Sequence, residues 1–141
     1  MARLLFVYGT LRKGETNDIN RFEPAPRYVG ESRIRGYLYD RGTYPGLVLD
    51  GSGDWVVGEV YDIAPELEPQ LDALEAEYPA APDEFPKETV RLTVNDERES
   101  AIVYAMHKKF AAEATPIAGG DWVSYRRLRD AGALLPDAED A

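Results

Sequence analysis

The chain has 141 residues, 44% of them hydrophobic and 30% charged, with no cysteine, one histidine and a formal net charge of −10. That length suits a single domain, large enough to bury roughly two thirds of its extended surface without covalent staples. The composition excludes disulfide frameworks, thiolate metal sites, cysteine nucleophiles and all-histidine zinc sites, and no apolar run reaches the length of a membrane span.

Leu4-Leu5-Phe6-Val7-Tyr8 is an apolar run closed by Gly9, which predicts a fully buried strand. Residues 13–26 are polar and carry proline, so they predict a long loop with at most a short helical turn. A β-rich segment at 28–39 predicts the second strand, residues 42–46 a turn, and Leu47-Val48-Leu49 a short strand. Asp50-Gly51-Ser52-Gly53-Asp54 is a strong turn signal, so a hairpin is expected, with residues 55–63 as its return strand. Pro65 suits a first helical turn, and Leu67, Leu71 and Leu74 fall along one helix face. Glu66 and Glu68 favour the N-terminal end of that helix, which must stop before Pro79. Residues 79–86 predict an irregular loop. Residues 88–94 and 100–106 then predict two strands joined by a turn at Asn95-Asp96-Glu97. Asp121, after Gly119-Gly120, predicts the N-cap of a short helix. Residues 1–135 are expected to form the single domain and 136–141 an unstructured acidic tail. Several antiparallel strands, one main helix and short helical pieces make an α+β domain with a curled or barrel-like sheet.

The charge is uneven. Residues 1–41 hold 8 basic and 5 acidic residues, residues 42–100 hold 3 and 15, and residues 101–141 hold 5 and 6. A chain this acidic repels nucleic acid, although its N-terminal part suits a small anion. The N-terminal residues lack a secretory-signal layout, so a cytoplasmic protein is expected.

Two places carry chemistry. Successive backbone N–H groups after a strand-ending glycine, here from Tyr8 through Gly9, Thr10, Leu11 and Arg12, make either an ordinary turn or a nest for a carboxylate or oxyanion. Glu75 lies one turn beyond Leu71, beside the apolar stripe; it is either a solvated acid near the helix end or a partly desolvated general base. Tyr125 is placed either against a pocket or away from it. Tyr37, Tyr39 and Tyr44 fit an apolar sheet face or a cleft wall, Trp55 and Trp122 fit core or rim, and His107 fits the surface. The acidic residues have no metal-ligand spacing, and no cofactor is expected.

These segments, taken in order, resemble the γ-glutamylcyclotransferase-like superfamily, the AIG2-like and butirosin-biosynthesis-like group, over about residues 3–125. The resemblance rests on Val7-Tyr8-Gly9-Thr10-Leu11-Arg12, Gly36-Tyr37-Leu38-Tyr39-Asp40, Tyr44-Pro45-Gly46-Leu47-Val48, Val57-Gly58-Glu59-Val60-Tyr61, Leu71-Asp72-Ala73-Leu74-Glu75, Ala105-Met106 and Gly120-Asp121-Trp122. It implies a small mixed β-barrel flanked by helices, with a pocket at one end. It also implies that Tyr8 to Arg12 cradle a γ-glutamyl group and that Glu75 is the acid/base. The expected reaction converts a γ-glutamyl amine or amino acid to 5-oxoproline and the free amine, without cofactor. The partner is then a small γ-glutamyl compound; monomer and homodimer both stay open. A non-catalytic module that keeps the pocket for a small ligand is the alternative. Two departures from the family pattern bear on the substrate. Ala76 stands where glycine is common, and Phe85-Pro86-Lys87 stands where a Tyr-x-Arg pair is frequent.

Overall fold

In a computed structural model, which describes residues 3–77 and 84–132, the N-terminal apolar run forms β1 (Leu4–Val7), buried at all four positions. Leu4, Phe6 and Tyr8 point into one hydrophobic core, and Leu5 and Val7 into a second. A strand covered on both faces needs a continuous apolar run, which is the pattern it has.

Six further strands complete the sheet: β2 (Arg27–Asp40), β3 (Pro45–Leu49), β4 (Asp54–Asp62), β5 (Lys87–Val94), β6 (Glu97–Tyr104) and β7 (Thr115–Ile117). Their order is β3-β2-β4-β1-β6-β5, with β7 paired to β2. β1 and β6 are parallel, and the other pairs are antiparallel. Two helices, α1 (Glu68–Glu77) and α2 (Trp122–Asp130), flank this curled mixed sheet. The fold is therefore α+β with a curled sheet that forms a half-barrel, in line with the curled or barrel-like sheet that the sequence predicts. No helix among the described residues is long and apolar enough to cross a membrane.

Two local expectations need correction. The turn at residues 50–54 does not close a hairpin. Both strands flanking it pair with β2: residues 36–40 of β2 take β3, and residues 27–36 take β4. A 14-residue strand is long enough to serve two partners end to end, and local turn chemistry cannot report that choice. The second correction concerns β6, which starts at Glu97 rather than Ser100. Asn95 and Asp96 both adopt positive φ (53° and 65°), the geometry of a two-residue hairpin turn, so pairing begins immediately. A main helix and the Asp121 cap agree with expectation, but α1 begins at Glu68, so Pro65 and Leu67 lie in the turn before it rather than in its first turn; the Asp121 carboxylate accepts from Ser124 N at 3.2 Å. Residues 136–141 and most of the loop at 79–86 lie outside the described residues.

The two cores divide the labour. One gathers around Phe6, Leu47, Val60, Leu92 and Trp122. The other lies between β1, β6 and α1 around Leu5, Tyr61, Leu67, Leu71 and Ile102. The C-terminal end of β1 sits where these cores meet, and α1 is docked beside it.

Candidate active site

A pocket opens at that junction, lined by residues 6–11 together with Tyr44, Pro45, Leu74, Glu75, Phe85 and Tyr104. The segment after β1 is held almost entirely by its oxygens. The carbonyl of Gly9 accepts from Arg12 N (3.0 Å), that of Thr10 from Asn17 N (2.9 Å), and that of Leu11 from Ile19 N (2.9 Å). The Thr10 hydroxyl accepts from Asn17 Nδ2 at 3.1 Å. None of the N–H groups of Gly9, Thr10 or Leu11 donates a hydrogen bond among the described residues. Backbone donors normally find partners, so these three adjacent N–H groups are left for water or a ligand to satisfy. Gly9 is required by packing: a Cβ there would lie 2.6 Å from Pro45 Cγ and 2.8 Å from Pro45 Cδ.

Tyr8 contributes its ring to the wall, while its hydroxyl is already committed. It donates to Tyr104 O at 2.7 Å and accepts from Leu47 N at 3.3 Å, joining β1, β3 and the end of β6. Burial and the nearby Glu75 charge push its phenol well above the ordinary range, so it stays neutral.

Of the candidate residues, Arg12 and Tyr125 are absent from the lining of this pocket. The Arg12 guanidinium turns away to Glu59 (2.6 Å) and Asp121 (3.2 Å). Glu59 is buried and fully engaged, accepting also from Lys13 N and the Tyr61 hydroxyl. A buried carboxylate needs such a set of donors, and Arg12 answers that need rather than a ligand's. Tyr125 packs on Trp122 and donates to Asp40 Oδ2 at 2.8 Å. Its helix docks α2 against β2, away from the pocket.

Glu75 is at the pocket, beside Leu74 and one turn beyond the fully buried Leu71. Its carboxylate accepts no hydrogen bond among the described residues. Burial, with the Asp72 charge second, raises its pKa from 4.5 to about 7. Asp72 is held in place by Lys87 Nζ (3.0 and 3.1 Å) and by the Tyr104 hydroxyl. Lys87 also reaches Glu68 (2.6 Å), which Arg3 grips from the other side (2.9 Å). Lys87 therefore clamps α1 to β5 and does not line the pocket, whereas its neighbour Phe85 does. Phe85 meets Tyr44 edge to face, with ring centroids 5.6 Å apart.

Sequence reasoning missed the far wall. Tyr104 ends β6, and Glu84, fully buried, forms an ion pair with Arg41 at 2.6 Å. The Glu84 carbonyl accepts from His107 N (2.7 Å) and the Pro86 carbonyl from Ala105 N (3.1 Å), which fixes Phe85 between them. An apolar-ended strand was the available signal for Tyr104. Nothing local marks Glu84. Of the tyrosines considered for a cleft, Tyr44 lines the pocket and Tyr37 is exposed. His107 is on the surface as expected, its Nδ1 accepting from Lys109 N at 3.1 Å.

The family model described as "Gamma-glutamyl cyclotransferase, AIG2-like" matches residues 5–124. A Vibrio cholerae serotype O1 protein named "Putative gamma-glutamylcyclotransferase" is 35% identical over 130 residues, covering 86% of this chain and 96% of that protein. "Gamma-L-glutamyl-butirosin B gamma-glutamyl cyclotransferase" of Niallia circulans is 42% identical over 72 residues, 50% of this chain and 44% of that one. Among solved structures, YkqA from Bacillus subtilis superposes with a TM-score of 0.69 at 27% identity, over 93% of this chain and 43% of YkqA. The chain thus spans less than half of YkqA.

The state of Glu75 has a consequence for stability. A raised folded-state pKa means that protonation favours the fold; that contribution is complete below about 4.5 and is lost as pH rises through about 7. Glu75→Gln keeps the side chain uncharged at every pH, so the loss on ionisation does not occur. The variant is expected to match the wild type at pH 4 and to exceed it at pH 8 by up to about 3 kcal/mol in urea unfolding. Parallel stability curves for the two proteins would contradict the assignment.

Proposed function

The chain belongs to the AIG2-like γ-glutamyl cyclotransferase family, and on that premise we propose that it cyclises a γ-glutamyl amine or amino acid to 5-oxoproline, with Glu75 as general acid/base. The observation that carries this reading is one pocket lined both by a desolvated carboxylate and by three backbone N–H groups, none of which has a hydrogen-bond partner among the described residues.

A γ-glutamyl compound holds its nucleophile, the α-amine, and its electrophile, the γ-carbonyl, in one molecule. Folding the substrate into the near-attack shape therefore replaces a second reactant. The amine arrives protonated, and a carboxylate of pKa about 7 is ionised often enough at neutral pH to take that proton. The nitrogen then attacks the γ-carbon, a C–N bond closes the five-membered ring, and negative charge develops on the carbonyl oxygen. The N–H groups of Gly9, Thr10 and Leu11 are donors for that oxyanion or for the α-carboxylate. Collapse breaks the bond to the leaving nitrogen. Two protons leave the attacking nitrogen and two reach the departing one, so one carboxylate that alternately takes and gives balances the reaction.

The phenols beside Glu75 are poor competitors for its proton. Burial raises both Tyr8 and Tyr104, so both remain neutral donors. Phe85 bears on the leaving amine. It offers an apolar edge where a tyrosine would offer a hydroxyl, and a polar group left unpaired against it costs roughly 1–3 kcal/mol. Apolar or long-chained amines are the favoured leaving groups on this reading.

Two outcomes test the proposal. Wild-type kcat/KM for 5-oxoproline release is expected to rise with pH through about 7. Glu75→Gln should lower turnover by about 10²–10⁴-fold while the protein stays folded. Turnover near wild type in that variant would sink the acid/base role, and ligand-induced thermal stabilisation with no product from any γ-glutamyl compound would favour a binding module. For specificity, kcat/KM is expected to be higher for a γ-glutamyl alkylamine than for γ-glutamylalanine, and Phe85→Tyr should move the ratio towards the amino acid. A ratio at or below one in the wild type would refute the assignment of Phe85.

A further inference from the structure

On a different face, the seam where β2 approaches β5 forms a groove of about 900 Å³. The two strands meet there through single contacts, with Ser32 Oγ donating to Thr93 O at 2.7 Å and Asn95 Nδ2 donating to Val29 O at 2.9 Å. Strand alternation decides what the groove presents. Ile34 and Leu92 turn into the core, so Arg33, Arg35 and Arg91 project outward, and Arg98 stands opposite Thr93 on the same face as Arg91. The guanidiniums of Arg33 and Arg35 lie over the Trp55 ring, 4.6 and 4.3 Å from its centroid. Trp55 pairs in register with Arg35 and is 41% exposed.

None of these four arginines forms an ion pair among the described residues. Arg35 donates only to Gly53 O (3.2 Å) and Arg98 only to Thr93 Oγ1 (3.5 Å). Among the described residues the groove's one further unpaired charge, Glu31, engages none of them, and Arg12 at its edge is shared between Glu59 and Asp121. Four arginines against one carboxylate form a cationic basin on a chain of net charge −10. Cation–π contact holds two of the forks in place before any ligand arrives. Planar guanidiniums match phosphate oxygens two at a time, and adjacent phosphates can engage several forks together. The overall negative charge disfavours an extended polyanion, whose ends would run over acidic surface, but not a compact one held inside the basin.

We propose that this groove is a binding site for a small anion with adjacent phosphates, of the pyrophosphate class, separate from the Glu75 pocket. The site does not depend on the cyclotransferase reading, since it uses none of the residues of that pocket.

Pyrophosphate, added to the full-length protein at low ionic strength, is the probe. Trp55 is exposed and Trp122 fully buried, so Trp55 emission reports the groove, and calorimetry reports binding without relying on it. A saturable change is expected, weakening as salt is added. The double variant Arg33→Ala/Arg91→Ala should weaken binding by about tenfold or more while keeping wild-type 5-oxoproline release. Tighter binding of ADP than of pyrophosphate would assign the phosphates to a nucleotide, and weaker binding would assign them to the free anion. Absence of saturable binding by both methods, unchanged affinity in the double variant, or citrate binding as tightly as pyrophosphate would overturn the proposal.

Discussion

Placing the Glu75 carboxylate in a pocket shared with Leu74, Phe6 and Tyr8, with no cation or N–H among the described residues to receive it, costs free energy whenever the group is charged, and the surrounding structure has to offset that cost. Most of the pocket's construction can be understood from this. α1 is short and sits on its core through the fully buried Leu71, with fully buried Leu67 in the turn just before it. Its outer face is held by Arg3 and Lys87, which grip Glu68 from two sides, while Lys87 also takes Asp72. Those clamps leave Glu75 with Asp72 as its near charge. The same arrangement that fixes the helix thus keeps a negative neighbour, rather than a positive one, beside the carboxylate.

The opposite wall works by the reverse logic. There the carbonyls of Gly9, Thr10 and Leu11 are occupied, while their N–H groups have no partner among the described residues. Arg12 enforces this at a distance: it spans Glu59 on β4 and Asp121 at the start of α2, fixing where the loop leaves β1. Gly120 helps to seat Asp121, with φ of +70° and its carbonyl accepting from Val57 N at 2.9 Å; a Cβ there would meet Trp55 O. The Tyr8 hydroxyl ties the same segment to β3 and β6. Pocket, sheet closure and α2 are therefore coupled through a small set of buried polar contacts, the kind of network that is costly to satisfy only in part.

Residues that answer local rules were legible in the sequence. The double-sided burial of β1 follows from an unbroken apolar run, the Asp121 cap from its side-chain chemistry, and the inward placement of Glu75 from one helical turn beyond Leu71. Residues whose partners are distant were not. Arg12 looks like a ligand-binding arginine until Glu59 and Asp121, 47 and 109 residues away, are brought to it. Tyr125 cannot be assigned until Asp40 is known to stand beside it. The turn at residues 50–54 obeys hairpin chemistry, yet its strands share β2, because pairing is decided by the length of that strand and not by the turn. Glu84 and Arg41 carry no local mark at all, since a buried ion pair is defined only once both partners have left water.

The acid/base role of Glu75 depends on its protonation, and that can be measured without substrate. Carboxyl-carbon NMR of the glutamate-labelled protein, with the Glu75→Gln variant to assign the resonance, follows Glu75 directly through a pH titration. A midpoint near 7 is the expected result, displaced from the ordinary 4.5 by burial and Asp72. A midpoint close to 4.5 would show a solvated or partnered carboxylate and would contradict the central claim.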